Sequence, residues 1–142
     1  MTGLMARGTT TIDASKAAVW KGLTDPDQIK DYMMGSVVET DWQPGSPITW
    51  SGEWKGKPYQ DKGEIVAVDE PDRLELTHYS PLTGQDDVPE SYHTLVYTLE
   101  DRDGGTQVSV TQDNNADQDE ADRNSQAWTQ MLDGLKQTVE GS

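Results

Sequence analysis

Polar and apolar residues alternate through the middle of the chain, from about residue 36 to residue 115. Ile48 and Trp50, for example, are followed by the polar residues Thr49 and Ser51. Stretches rich in Gly, Pro and Asp, such as residues 103–105, separate these alternating runs. Period-two alternation between turn signals predicts short antiparallel strands in a sheet with one covered face and one face toward water.

The first third of the chain has the signals of one strand and two short helices. A β-prone stretch ends at Ile12, and Ser15 then has the position of an N-cap for the first helix. Asp25 and Pro26 end that helix and begin the next, with the aspartate as cap and the proline at the first helical position. Gly35 is the predicted end of the second helix.

The last segment, residues 117–140, carries apolar residues at three- and four-residue spacing, which predicts one long amphipathic helix. Gly134 interrupts it, either to let the helix approach the sheet or to leave space in the pocket. The predicted order is a strand, two helices, an antiparallel meander and a long helix. We therefore expect one α+β domain over residues 1–142, in which the last helix covers the apolar face of a curved sheet.

The alternation also predicts which large side chains face inward. On each strand they share the phase of leucines and isoleucines, and on the helix they lie on the apolar stripe. An apolar cavity with a few convergent polar groups is the usual form of a ligand site, although Trp and Tyr at this spacing also serve as core filling. The predicted cavity lining is Trp50, Trp54, His78, His93, Tyr97, Trp128, Met131 and Leu132.

The two histidines, His78 and His93, are the candidates for chemistry in this set. They fit a general acid–base pair, a hydrogen-bonded pair that orients a ligand, or a satisfied polar pair in the core. The chain has no Gly-x-Ser-x-Gly motif and no metal-ligand spacing around either histidine. We expect ligand orientation, with no metal, no cofactor and no catalytic residue assigned.

Composition changes the expected partners. The 142 residues hold 26 Asp and Glu against 11 Lys and Arg, a net charge of -15, with no Cys and no Phe. Without a basic cluster, nucleic acid and anionic membranes are excluded as partners. The excess of Asp and the scarcity of Lys are typical of proteins from high-salt cytoplasm, although an ordinary acidic protein is the alternative. With no long apolar run and no secretory signal, we expect a cytoplasmic monomer.

Several segments resemble a known superfamily. Residues 12–20 (IDASKAAVW) and 23–26 (LTDP) are similar to the opening of SRPBCC proteins. Residues 42–54 (WQPGSPITWSGEW), 76–81 (LTHYSP) and 90–93 (ESYH) are similar to the branch named after the activator of the Hsp90 ATPase (AHSA1-like). The resemblance implies the START-like, or Bet v 1-like, helix-grip fold, with a cavity between sheet and helix that suits a small apolar molecule.

That resemblance leaves three functions open, because the superfamily includes carriers, enzymes and co-chaperones. The first hypothesis is binding of a small, largely apolar ligand, lipid-like or aromatic. The alternatives are an Hsp90-type co-chaperone that uses the outer sheet face and loops, and a cyclase- or hydrolase-like enzyme that uses His78, His93 and Tyr97. We expect binding rather than catalysis.

Overall fold

Period-two alternation builds a seven-stranded antiparallel sheet in the computed structural model, which describes residues 4–33, 35–80 and 86–141. The strands are β1 (Leu4–Ile12), β2 (Val37–Glu39), β3 (Pro47–Trp54), β4 (Lys57–Asp69), β5 (Arg73–His78), β6 (His93–Arg102) and β7 (Gly105–Asn115). The strand order is β1-β7-β6-β5-β4-β3-β2, so that each strand from β3 to β7 neighbours its predecessor in the chain, and β1 and β2 are the two edges.

Three α-helices lie within the described residues: α1 (Lys16–Thr24), α2 (Pro26–Tyr32) and α3 (Gln118–Glu140). The Ser15 hydroxyl accepts a hydrogen bond from the backbone N–H of Ala18 (3.2 Å), and the Asp25 carboxylate caps α2 with Pro26 at its first position. Asp117 caps α3. These side chains satisfy N–H groups that have no partner within a helix. The predicted helix starts are therefore confirmed.

Two-residue turns set the register of two hairpins. Lys55 and Gly56 connect β3 to β4, and Asp103 and Gly104 connect β6 to β7, all four with positive φ. Positive φ at both central residues is the geometry that matches the twist of paired strands. The second turn was predicted from the sequence. The first was not, and β4 accordingly begins at Lys57, six residues before the alternation around Ile65 becomes evident.

The long helix α3 runs along β1 at the sheet edge and packs toward its inner face. The Ser125 hydroxyl accepts from the backbone N–H of Arg7 (2.9 Å) near one end, and Lys136 Nζ donates to the carbonyl of Thr11 (2.8 Å) near the other. A Cβ placed on Gly134 would lie 3.0 Å from Tyr32 Cβ. The glycine therefore permits close approach of α3 to the helix α2, a neighbour that neither of the two explanations drawn from the sequence had named.

The core lies between the inner sheet face and the helices. Leucine, isoleucine and valine side chains from both layers form one buried cluster, which removes apolar surface from water and so stabilises the fold. Its fully or almost fully buried members include Ile12, Val19, Ile48, Ile65, Leu74, Val108, Val110, Leu132 and Leu135. Beside this cluster, toward α2 and the middle of α3, the layers separate.

Candidate functional site

A cavity of about 490 Å³ opens between the inner sheet face and the helices α2 and α3. Its volume falls within the range of about 300–1,000 Å³ that is usual for small-molecule sites. Aromatic and apolar side chains make most of the wall. The lining residues are Tyr32, Met33, Ser36, Trp50, Tyr59, Asp61, His78, Leu95, Tyr97, Ala127, Trp128, Gln130 and Met131.

Aromatic rings from the sheet and the helix form the apolar walls. Trp50 on β3 and Tyr97 on β6 are each only 8% exposed. The Tyr97 ring meets the Trp128 ring edge to face, with centroids 6.4 Å apart and planes at 90°. The Trp128 indole N–H donates to Oε1 of Gln112 on β7 (2.7 Å), so its polar end is satisfied by the sheet. This arrangement fixes both rings while the apolar faces remain at the cavity.

An aspartate–histidine pair supplies the polar part of the wall. Trp50 pairs with Asp61 in the β3–β4 register, and the ring of His78 packs edge-on against Trp50 with centroids 5.1 Å apart. Nε2 of His78 lies 2.9 Å from Oδ2 of Asp61. The His78 and Asp61 side chains are 25% and 16% exposed. The second carboxylate oxygen, Oδ1, is buried and has no hydrogen-bond partner among the described residues.

Three hydroxyl groups of the cavity wall form hydrogen bonds within the protein. The Ser36 and Tyr59 hydroxyls lie 2.7 Å apart, and the Tyr32 hydroxyl donates to the carbonyl of Gly22 (2.7 Å). Burial raises the pKa of Tyr32 well above its ordinary value, and it also raises the pKa of Tyr97. Both phenols are therefore neutral at physiological pH and contribute no negative charge to the cavity.

The two histidines have different surroundings in the structure. His78 and His93 are paired across β5 and β6, so their side chains leave the sheet on the same face. The Nδ1 atom of His93, however, lies 2.8 Å from the backbone carbonyl oxygen of Asp113 on β7, and His93 does not line the cavity. The polar partner of His78 is Asp61 instead.

Apart from His93, the predicted lining residues divide into three groups. Trp50, His78, Tyr97, Trp128 and Met131 line the cavity. Leu132 is fully buried in the core beside it. Trp54 ends β3, and its side chain lies outside what the structure describes. As ligand contacts, all eight residues remain predictions.

Asp61 and Tyr59 were not among the lining residues predicted from the sequence, although the sequence contains a signal for them. Counting back in steps of two from buried Ile65 gives Gly63, Asp61 and Tyr59, which have the inward phase of β4. Residues 58, 60, 62 and 64 between them are exposed. The charged and polar composition of residues 57–64 concealed this phase, because an isolated Asp in such a stretch is typical of a solvent-facing strand.

A second concavity, of about 790 Å³, lies on the opposite sheet face, and its wall is polar and apolar in nearly equal parts. There Lys62 forms an ion pair with Asp87, and the hydroxyl of Tyr92 donates to Asp87 Oδ1 (2.6 Å). The hydrogen bond from Lys62 holds the pKa of Asp87 below its usual value. Because these groups satisfy one another and a larger share of this wall is polar than in the inner cavity, the inner cavity is the better candidate for binding a small, largely apolar molecule.

Within residues 4–33, 35–80 and 86–141, no three His, Asp or Glu side chains are grouped so that they could hold a metal ion. None of the described helices is both long enough and apolar enough to cross a membrane.

Comparison with known proteins agrees with this architecture. Residues 13–140 match the family described as "Activator of Hsp90 ATPase homolog 1-like protein". No curated protein sequence matches the chain. The solution structure of ChR145 from Cytophaga hutchinsonii is 44% identical over 99% of this chain and 97% of its own, with a TM-score of 0.86.

More distant structures share the fold. The Aha1 dimer from Colwellia psychrerythraea is 18% identical, with a TM-score of 0.76 and 96% of each chain covered. Ara h 8.0201 is 15% identical, with a TM-score of 0.75 and coverage of 98% of this chain and 99% of its own. Together with the sheet and the long C-terminal helix, these matches show that the chain has the helix-grip fold and belongs to the family of activator of Hsp90 ATPase homolog 1-like proteins.

Proposed function

We propose that the protein binds a small, largely apolar molecule in the inner cavity. The observation that carries the proposal is a space of about 490 Å³ walled by the rings of Trp50, Tyr97 and Trp128. A buried, mostly apolar wall with few polar groups favours binding through removal of apolar ligand surface from water. Family membership is compatible with this role but does not by itself assign a ligand.

Filling the cavity tests the proposal. Met131 lines the space from α3, whereas Gln137 is an exposed residue of the same helix. We expect Met131→Trp to weaken binding of the neutral probe N-phenyl-1-naphthylamine and of other neutral aromatic compounds by about tenfold or more, and Gln137→Trp to leave it unchanged. Calorimetry and backbone NMR shifts provide the measurements. If neither variant changes the affinity, the ligands bind elsewhere; if the wild type binds none of them, the proposal fails.

A second candidate is supported by the family match: regulation of an Hsp90-type chaperone through the outer sheet face and loops. The test is the ATPase rate of Hsp90 from the same organism, with and without this protein, at the salt concentration of its cytoplasm. Stimulation that Met131→Trp leaves intact would support a partner surface distinct from the cavity. An unchanged ATPase rate with the wild type would remove this candidate.

A further inference from the structure

Several hydrogen-bond donors of the cavity wall are used within the protein. The Tyr32 hydroxyl and the Trp128 indole N–H both donate to protein acceptors, each at 2.7 Å. Ser36 and Tyr59 share one hydrogen bond, which uses one of their two protons. Trp50, Tyr97 and Gln130 also line the cavity and carry N–H or O–H donors, so the donors of the wall do not by themselves decide the ligand class.

The Asp61–His78 pair has more hydrogen-bond acceptors than donors. Because a carboxylate can only accept, the 2.9 Å contact places a proton on Nε2 of His78. In the neutral ring, Nδ1 is then an acceptor, and no described residue hydrogen-bonds to it. Oδ1 of Asp61 is likewise without a described donor. The pair thus offers a ligand the lone pair on Nδ1 of His78. The contact with Asp61 keeps the ring in the tautomer that carries this lone pair.

The charges around the cavity disfavour ligands that are anions. Among the described residues that line the cavity there is no Lys or Arg, and the chain as a whole carries a net charge of -15. A carboxylate ligand would enter beside Asp61 without a cation to compensate the loss of its hydration. Neutral and cationic molecules avoid that cost.

We propose that the ligand is a neutral or cationic amphiphile, with an aromatic or aliphatic body and a hydroxyl or N–H group that donates to Nδ1 of His78. Asp61 is the positioning residue, because its carboxylate keeps the proton of His78 on Nε2. This proposal rests on the proposed function and narrows its ligand class. It excludes fatty acids and other apolar carboxylates.

The tautomer of His78 can be measured without any ligand. The chain contains two histidines, so long-range proton–nitrogen NMR spectra show two imidazole rings. In the neutral rings we expect the proton on Nε2 of His78 and on Nδ1 of His93, because the latter donates to the carbonyl of Asp113. His93 is therefore an internal control. A proton on Nδ1 of neutral His78 overturns the proposal.

Matched ligands test the donor itself. 2-Naphthol and 2-methylnaphthalene have the same body, and only the first can donate a hydrogen bond. The double variant Asp61→Asn/His78→Phe removes the acceptor, keeps a ring against Trp50 and leaves no unpaired carboxylate. The measured quantity is the Kd of 2-methylnaphthalene divided by that of 2-naphthol. Because the same two ligands are compared in each protein, their different hydrophobicity cancels.

We expect this ratio to fall about tenfold in the double variant and to remain unchanged in His93→Gln. An unchanged ratio in the double variant overturns the donor proposal but leaves apolar binding intact. Binding of neither compound by the wild type removes the proposed function itself. 2-Naphthoate should bind the wild type at least tenfold more weakly than 2-naphthol, and equal affinity overturns the exclusion of anions. The tautomer and naphthoate measurements require no variant.

Discussion

Two adjacent residues of α3 allow the cavity to be tested by stability alone. Leu132 is 0% exposed and belongs to the buried core cluster, whereas Met131 is partly buried and lines the cavity. Leu and Met have nearly equal helix propensities. Replacing each by Ala therefore gives a similar gain in helix propensity, and the difference between the two variants reports packing.

The magnitudes follow from what surrounds each side chain. Leu132→Ala removes contacts on all sides and leaves a new void, which costs about 3 kcal/mol. Met131 already faces empty space on one side, so its truncation loses fewer contacts and costs about 1 kcal/mol. With an m-value of about 2 kcal/mol/M, urea midpoints should fall by about 1.5 M for Leu132→Ala and about 0.5 M for Met131→Ala.

Equal midpoint shifts would refute this reasoning, because they would mean that Met131 is packed as tightly as Leu132 and that the space beside it is closed. Ligand affinity provides a second distinction. Met131→Ala should change the Kd of a cavity ligand directly, whereas folded Leu132→Ala should retain a wild-type Kd.

Three further predictions concern stability. A Cβ on Gly63 would lie 1.8 Å from the carbonyl oxygen of Thr77, so Gly63→Ala should cost about 3 kcal/mol in thermal unfolding; a wild-type Tm would contradict this. Burial raises the pKa of Tyr97 above its ordinary 10.0, so its contribution to stability is complete below pH 10.0 and is lost above it. In that alkaline range the wild type should lose about 1.4 kcal/mol per pH unit more than Tyr97→Phe, and parallel pH curves would refute this. Because the net charge is -15, molar KCl, with a Debye length of about 3 Å, should stabilise the protein by about 1 kcal/mol, or about 4 °C in Tm. A Tm that does not rise with salt would exclude high-salt adaptation.

Local signals in the sequence predicted the helices and most of the strands. Ser15, Asp25 and Asp117 each cap a helix through contacts with residues two or three positions away, so a short window contains the whole interaction. Strand phase is equally local, and it identified Trp50, Tyr97 and His78 as inward-facing. The family resemblance supplied the helix-grip arrangement, which the structure and the comparisons confirm.

The composition of the site depended on contacts distant in sequence. His78 was expected to act with His93, but its partner is Asp61, 17 residues away and on another strand. The unpredicted turn at Lys55 and Gly56 sets the β3–β4 register that brings Asp61 beside Trp50.

The sequence by itself therefore determined the elements, their inward faces and the acidic surface, because each of these follows from composition or from spacing within a few residues. Only the tertiary structure decided that Met131 borders a cavity while its neighbour Leu132 fills the core. It also decided which acceptor pairs with His78. Both depend on how α2, α3 and the sheet diverge in space, a distance that no periodicity along the chain encodes.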